Sequence, residues 1–312
     1  MNQIRSLFSL FHLLNFAFSD HHSFTLLGPV QRDLPNTDDA YQKLIDLKNF
    51  TFLINPKVCR NFTKLLLVTI VFSKWTYFEK RMQIRERWDE PVWTKVIFLI
   101  GLTPAGDISH DIQKESDIYG DIVMGNFIDS YRNLTYKHVM GLKWVTHHCP
   151  MAKYVLKVDD DVEVDPKMLR LLLTQRLSPW GARELLACNL LSNLKVPRKS
   201  TDEDSLYITQ EEYPLSYYPI SCYGWVILYS QDVVRSLLRA AQASPYLWVD
   251  DVFITGMCRL KSELCITPIG DLTSSWRQFQ IHIWANATQK TKELGFLTEP
   301  IFHLKHSYDE IL

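Results

Sequence analysis

The stretch KYVLKVDDDVEVDP, Lys153 to Pro166, decides the fold. Tyr154, Val155, Leu156 and Val158 read as a buried strand that runs straight into Asp159, Asp160 and Asp161. Neighbouring carboxylates repel and raise one another's pKa. A divalent cation removes that cost, and hard oxygen ligands suit magnesium or manganese better than zinc. In an extended segment Asp159 and Asp161 point to one face and Asp160 to the other. The pattern predicts a metal-facing pair, Asp159 and Asp161, with Asp160 free for another task. The alternative is a solvated acidic turn, against which the apolar strand before it argues.

Outward from this strand, apolar strand patterns alternate with helical ones. Lys64 to Phe72, KLLLVTIVF, is a continuous apolar run that fits a strand buried on both faces. Phe78 to Trp88 has helical character, with Arg81 and Arg85 four apart on one side. Val96 to Ile100 and Asp121 to Val123 read as further strands, and Tyr136 to Thr146 as a helix crossing back to the acidic-ended strand. This alternation predicts an α/β fold with a mostly parallel sheet, in which ligands collect outside the carboxyl ends of the strands. Beyond it, Pro166 opens a helix, and residues 195–213 are expected to form a loop that approaches substrate. Ile220 to Ser230 forms a strand, and Val233 to Ala243 a helix broken at Pro245.

A second acidic motif follows, WVDDVFITG from Trp248 to Gly256. Asp250 and Asp251 lie among large apolar residues, a setting that tunes a carboxylate for proton transfer. The alternative is a helix N-cap, and one segment can serve both purposes.

The 312 residues carry 34 basic and 35 acidic side chains, a net charge of −1, so nucleic acid is not an expected partner. The six cysteines form no CxxC pair, which argues against zinc and leaves the disulfide pairing open. Asn61, Asn133 and Asn286 each begin an N-x-S/T sequon. The apolar segment at residues 7–18 is shorter than the about 20 residues a span needs. It is similar to the core of a signal sequence. The expected organisation is a signal-like or signal-anchor segment at 1–20, a stem or linker at 21–63 and a catalytic domain at 64–312, with membrane association through the N-terminus. His282, His303 and His306 read as structural.

Four blocks in this order are similar to a known set: FEKRMQIRERW at 78–88, YGDIVMGNFIDSYRNLTYKHVMGLKWV at 119–145, CPMAKYVLKVDDDV at 149–162 and DDVFITGMC at 250–258. Through them the chain resembles the β-1,3-glycosyltransferases of the galactosyltransferase family over roughly residues 64–270. The resemblance implies a GT-A type nucleotide-diphospho-sugar transferase fold, a Rossmann-like mixed sheet flanked by helices, in a Golgi membrane enzyme with a lumenal catalytic domain. It implies a manganese cofactor (Mn2+) on Asp161 and Asp159, with Asp159 and Asp160 near a UDP-sugar donor. Arg81 and Arg85 would help hold UDP, and Asp129, Asn133 and Lys137 would lie near the donor.

Asp251 would be the catalytic base of an inverting transfer of galactose, favoured over N-acetylglucosamine, to a glycan acceptor, making a β-1,3 linkage. Asp250, Trp248 and Trp225 would lie on the acceptor side. Asp250 stands where the family pattern has Glu. In Cys222-Tyr223-Gly224-Trp225-Val226, bulky Trp225 and Val226 replace residues that allow close backbone approach, which leaves a catalytically silent glycan- or protein-binding lumenal protein as the alternative.

Overall fold

In the computed structural model, which describes residues 41–60, 62–88, 92–198, 207–273 and 303–304, the acidic-ended segment is a core strand. Ten strands are present among the described residues: β1 (Phe52–Ile54), β2 (Leu65–Phe72), β3 (Thr94–Leu102), β4 (Ile122–Ile128), β5 (Ala152–Asp159), β6 (Val162–Glu163), β7 (Leu186–Leu191), β8 (Ser221–Ser230), β9 (Thr267–Pro268) and β10 (His303–Leu304). Eight form one sheet in the order β1-β4-β3-β2-β5-β8-β7-β9, while β10 pairs with β6. Strands β4, β3, β2 and β5 run parallel; β8 is antiparallel to both β5 and β7. The sheet is therefore mixed.

Strand order reverses beside β2. The chain passes from β2 to β3 and β4 on one side and returns to β5 on the other. Open α/β sheets form their ligand crevice at such a switch point. Register puts Asp159 opposite Phe72 there, and the Asp160 amide donates to the Phe72 carbonyl at 3.1 Å.

Helices cover both faces: α1 (Phe78–Arg87), α2 (His110–Tyr119), α3 (Leu134–His148), α4 (Pro166–Leu171), α5 (Gln231–Gln242), α6 (Arg259–Lys261) and α7 (Ile269–Thr273). Helix α3 is buried along nearly its whole length, including Lys137, His138 and Lys143. A helix with no wet face must supply partners for such groups from its neighbours. Two of them, Lys137 and His138, end at the site.

Residues 41–60, expected as stem, belong to the domain instead. Leu44, Ile45 and Phe50 are buried in the core, β1 pairs with β4, and Cys59 is disulfide-bonded to Cys149. No helix forms over residues 42–50; the segment makes turns whose apolar side chains point inward. A second disulfide joins Cys188 of β7 to Cys222 of β8, while Cys258 and Cys265 are free. No helix among the described residues is long and apolar enough to cross a membrane. Residues 7–18, Asn61 and Asn286 lie outside the described residues, as do His282 and His306.

Candidate active site

The carboxyl ends of β2 to β5 converge on one cleft. Strand β5 stops at Asp159, and Asp160 and Asp161 form a turn before β6, so the predicted alternation ends one residue into the triplet. Asp159 accepts from Lys157 Nζ at 2.6 Å. Asp160 accepts from Lys80 at 3.3 Å, and its Oδ2 is buried without a hydrogen-bond partner. Burial, reinforced by the Asp161 charge, pushes the Asp159 acid up to about 7 in spite of Lys157. Burial raises Asp160 as well.

The strand end therefore holds more negative charge than the protein neutralises. Among the described residues no three His, Cys, Asp or Glu side chains converge as a closed metal cage. Magnesium-type ions are commonly held by one or two carboxylates, with water and substrate phosphate completing the shell. Asp159 and Asp161, backed by the unpartnered oxygen of Asp160, fit that donor set.

Lys157, overlooked in the sequence because it lies inside an apolar run, is the central cation. It is 2 % exposed, and it also donates to the Gly224 carbonyl. Burial works against its charge, but Asp159 and Asp250 more than offset this and keep its pKa raised.

Asp250 and Asp251 are the first helical residues ahead of an irregular wide helical segment, Val252–Cys258. Departures of this kind from α-helical winding recur at functional sites. The Asp251 carboxylate accepts from the next amide, that of Val252, at 2.7 Å, although Asp251 is already helical and so is not an N-cap, and Thr255 Oγ1 donates to the Asp251 carbonyl at 2.6 Å. The Cys222 amide donates to that same Thr255 oxygen at 2.8 Å, so the helix start is tied to β8. Burial, then the neighbouring Asp250 charge, pushes the Asp251 acid up to about 7. At Asp250 burial acts in the same sense, but the hydrogen bond from His138 and the charge of Lys157 outweigh it, holding this acid below its usual range.

Glycine at 224 lets the strand pass close to Asp251. A Cβ there would stand 3.2 Å from Asp251 Cβ, tighter than ordinary contact. The close approach that Trp225 and Val226 were expected to remove is thus kept one residue earlier. Val226 turns into the core, and Trp225 is half-buried beside Tyr223, with ring centroids 5.2 Å apart.

The basic pair is held by acidic partners within the protein. Arg81 is fully buried and donates to both Glu115 oxygens at 2.8 and 2.6 Å, to Ser73 Oγ at 3.1 Å and to the Lys74 carbonyl at 2.6 Å. Arg85 donates to Asp121 at 2.8 Å through two nitrogens and to Glu115 at 2.7 Å. Both guanidiniums are committed within the protein and brace the turn after β2. Lys80, one residue before Arg81 and 38 % exposed at its side chain, is the cation of α1 that faces the aspartate triplet.

Asp129 and Lys137 are likewise paired with each other, at 2.7 Å. Lys137 also donates to the Ser73 carbonyl at 2.6 Å, and the Gly101 amide donates to Asp129 at 3.2 Å. They fix the ends of β2, β3 and β4 against α3. Asn133 donates to the Ile128 carbonyl at 2.8 Å. It also lines a hollow of about 200 Å3 with Arg132, Tyr136, Glu212, Tyr246 and Trp248. Trp248 is 4 % exposed and covered by the Arg132 guanidinium at 4.8 Å, so its ring is a wall rather than an open stacking platform.

The strand order and the two acidic motifs are compatible with a glycosyltransferase, and a family model gives that class. The model described as Galactosyltransferase matches residues 79–268, and the chain belongs to that family. Beta-1,3-galactosyltransferase 5 of Homo sapiens is 30% identical over 223 residues, covering 70% of this chain and 70% of that one. Beta-1,3-galactosyltransferase 1 of Mus musculus is 30% identical over 224 residues, covering 70% and 67%. Among solved structures, the glycosyltransferase GlyE of Streptococcus pneumoniae covers 79% of this chain and 56% of its own at 15% identity, with a TM-score of 0.39, a likeness too distant to carry weight.

Proposed function

We propose that this protein transfers a hexose, galactose in preference to N-acetylglucosamine, from a UDP-sugar to a glycan hydroxyl, inverting the anomeric centre to give a β-1,3 linkage. The observation that carries this reading is the pairing of an under-neutralised aspartate turn with Asp251, a carboxylate of raised pKa, across the buried Lys157. One end suits a metal–diphosphate and the other a proton acceptor.

Asp161 and Asp159 would hold a divalent ion such as manganese, which when bound stabilises negative charge on the departing diphosphate. Lys80 supports that anion in place of the buried Arg81 and of Arg85, which is engaged by Asp121 and Glu115. Asp251 takes the proton of the acceptor hydroxyl as its oxygen bonds to the anomeric carbon. The bond from that carbon to the diphosphate oxygen breaks on the opposite face, and UDP leaves with the electron pair. A single displacement inverts the centre, by the same geometric reasoning that separates inverting from retaining glycosidases. Lys157 keeps the two acidic groups from repelling one another. On the acceptor side, the hollow beside Trp248 supplies aromatic walls and the Arg132–Glu212 pair at 3.0 Å, groups suited to sugar hydroxyls. The lumenal Golgi setting, with membrane attachment through the N-terminal segment, belongs to the same reading.

Incubation with UDP-galactose or UDP-N-acetylglucosamine, manganese and a panel of β-linked oligosaccharides tests it, with linkage analysis of the product. Acceptor-dependent β-1,3 product with galactose as the better donor is expected. UDP binding with no product from either donor would instead support a silent binding protein.

A further inference from the structure

His138 is fully buried on α3 and has no part in the steps above. Its Nδ1 lies 2.9 Å from Asp250 Oδ2, and its Nε2 lies 3.0 Å from the hydroxyl of Tyr229, which is fully buried on β8. Phe72 meets the ring edge-on with centroids 5.3 Å apart, fixing its plane. We propose that His138 and Tyr229 are positioning residues of the transfer site: they lock the Asp250 carboxylate beside Asp251, so that Asp251 alone gains and loses the transferred proton. The proposal rests on the transfer reading above.

The proton placement follows from the donor inventory. Burial lowers the His138 pKa, so the ring is neutral, with one donor and one acceptor nitrogen. An ionised carboxylate can only accept, so Nδ1 carries the hydrogen and donates to Asp250. Nε2 must then accept from the Tyr229 hydroxyl, whose proton burial retains. One arrangement satisfies all three groups, and both anchoring elements are core.

The two acids are otherwise treated alike. Lys157 and Asp159 of β5 and Tyr229 of β8 face them both, while Tyr246 acts on Asp250 and Tyr218 on Asp251. Lys157 favours ionisation of either acid, so it does not choose between them. His138 touches only Asp250, which also accepts from the Asp251 amide. Among the described residues the Asp251 carboxylate accepts from the Val252 amide alone. That asymmetry assigns one permanent anion and one working base.

The test is the pH dependence of kcat/KM for wild type, His138→Leu, His138→Asn and Tyr229→Phe, with thermal melting to establish folding. In His138→Leu the last proton of the pair becomes shared with Asp250. The acid limb should therefore move up by roughly half a pH unit or more, with a loss of at least about twofold at neutral pH. The Asn amide can reach the place of Nδ1, so His138→Asn should bring the limb back toward wild type. Tyr229→Phe should shift it in the same direction as His138→Leu, but less. An unmoved limb in folded His138→Leu, or His138→Asn no better than Leu, would overturn the proposal. If His138→Leu does not fold, Tyr229→Phe decides. Nitrogen NMR of the wild-type imidazole gives a readout apart from activity: a neutral ring carrying its hydrogen on Nδ1 at neutral pH is expected, and a hydrogen on Nε2, or a doubly protonated ring there, would refute it. A wild type without transfer would defeat the functional reading while leaving this NMR test intact.

Discussion

Two charged clusters meet at the end of β2, and they differ in how their charges are matched. In the first, Arg81 and Arg85 face Glu115 and Asp121, with every ion-pair contact between 2.6 and 2.8 Å. In the second, the single ammonium of Lys157 serves Asp159, Asp250 and Asp251. The first set is electrically closed and holds a turn in place. The second is short of positive charge, and a site in that condition has affinity for an incoming cation and for protons. Charged residues of similar burial thus separate into scaffold and chemistry by whether their partners are complete.

Removing the base should produce the largest effect. Asp251→Asn keeps the shape of the side chain and should lower kcat by about 10²–10⁴-fold, while manganese-dependent UDP binding, followed by calorimetry, stays intact. Equal loss of both would mean that the acidic pair belongs to the donor side.

Breaking the closed set should act on stability instead. Arg81→Met leaves Glu115 buried with one partner fewer and should cost about 3–5 kcal/mol in urea unfolding, with UDP affinity of the folded fraction unchanged. A loss of UDP affinity without destabilisation would restore Arg81 to the donor site. The pH sign differs between the clusters too. At Glu115 burial works to raise the pKa, but Arg81 and Arg85 outweigh it and hold the acid below its usual value. The stability this contributes is present above the ordinary carboxylate range and is lost as pH falls through the lowered, folded-state value. In the open cluster the raised acid of Asp251 also acts on rate: kcat/KM should fall as pH drops below about 7. A profile flat down to the ordinary carboxylate range would remove Asp251 as the base.

The smallest effect belongs to Lys80. It is partly exposed and lies with its ammonium 4.1 Å from the Tyr77 ring centroid. Lys80→Ala should weaken UDP binding by roughly 2–5-fold, on the scale of a solvent-screened ion pair, and less at high salt. No change at low salt would leave the diphosphate without a cation from α1.

Much of this was legible in the sequence because apolar runs fix strands, and strand order then fixes where a crevice opens. The run ending in Asp159 and the Asp250-Asp251 pair were both identified with their correct neighbourhoods. Side-chain partners were not. Arg81 and Arg85 look like ligand-facing cations until Glu115 and Asp121, more than twenty residues away, are folded against them. Lys157 and His138 were hidden because a polar residue within an apolar run gives no sign of which buried group it will meet. Residues 41–60 were missed because their scattered apolar positions have no period, although Phe50 and Cys59 are as buried as any strand residue. The Asp159/Asp161 alternation failed because it assumed extended backbone where the chain turns.

The bond between Cys188 and Cys222 has a practical consequence for anyone making this protein. It closes the end of β8 just two residues before Gly224, the backbone that backs Asp251 and accepts from Lys157. Thiols stay reduced in cytosol, so chains produced in a bacterial cytoplasm would lack this clasp together with the one at Cys149. The redox history of a preparation, as much as its purity, will then govern how many of its molecules present a finished cleft.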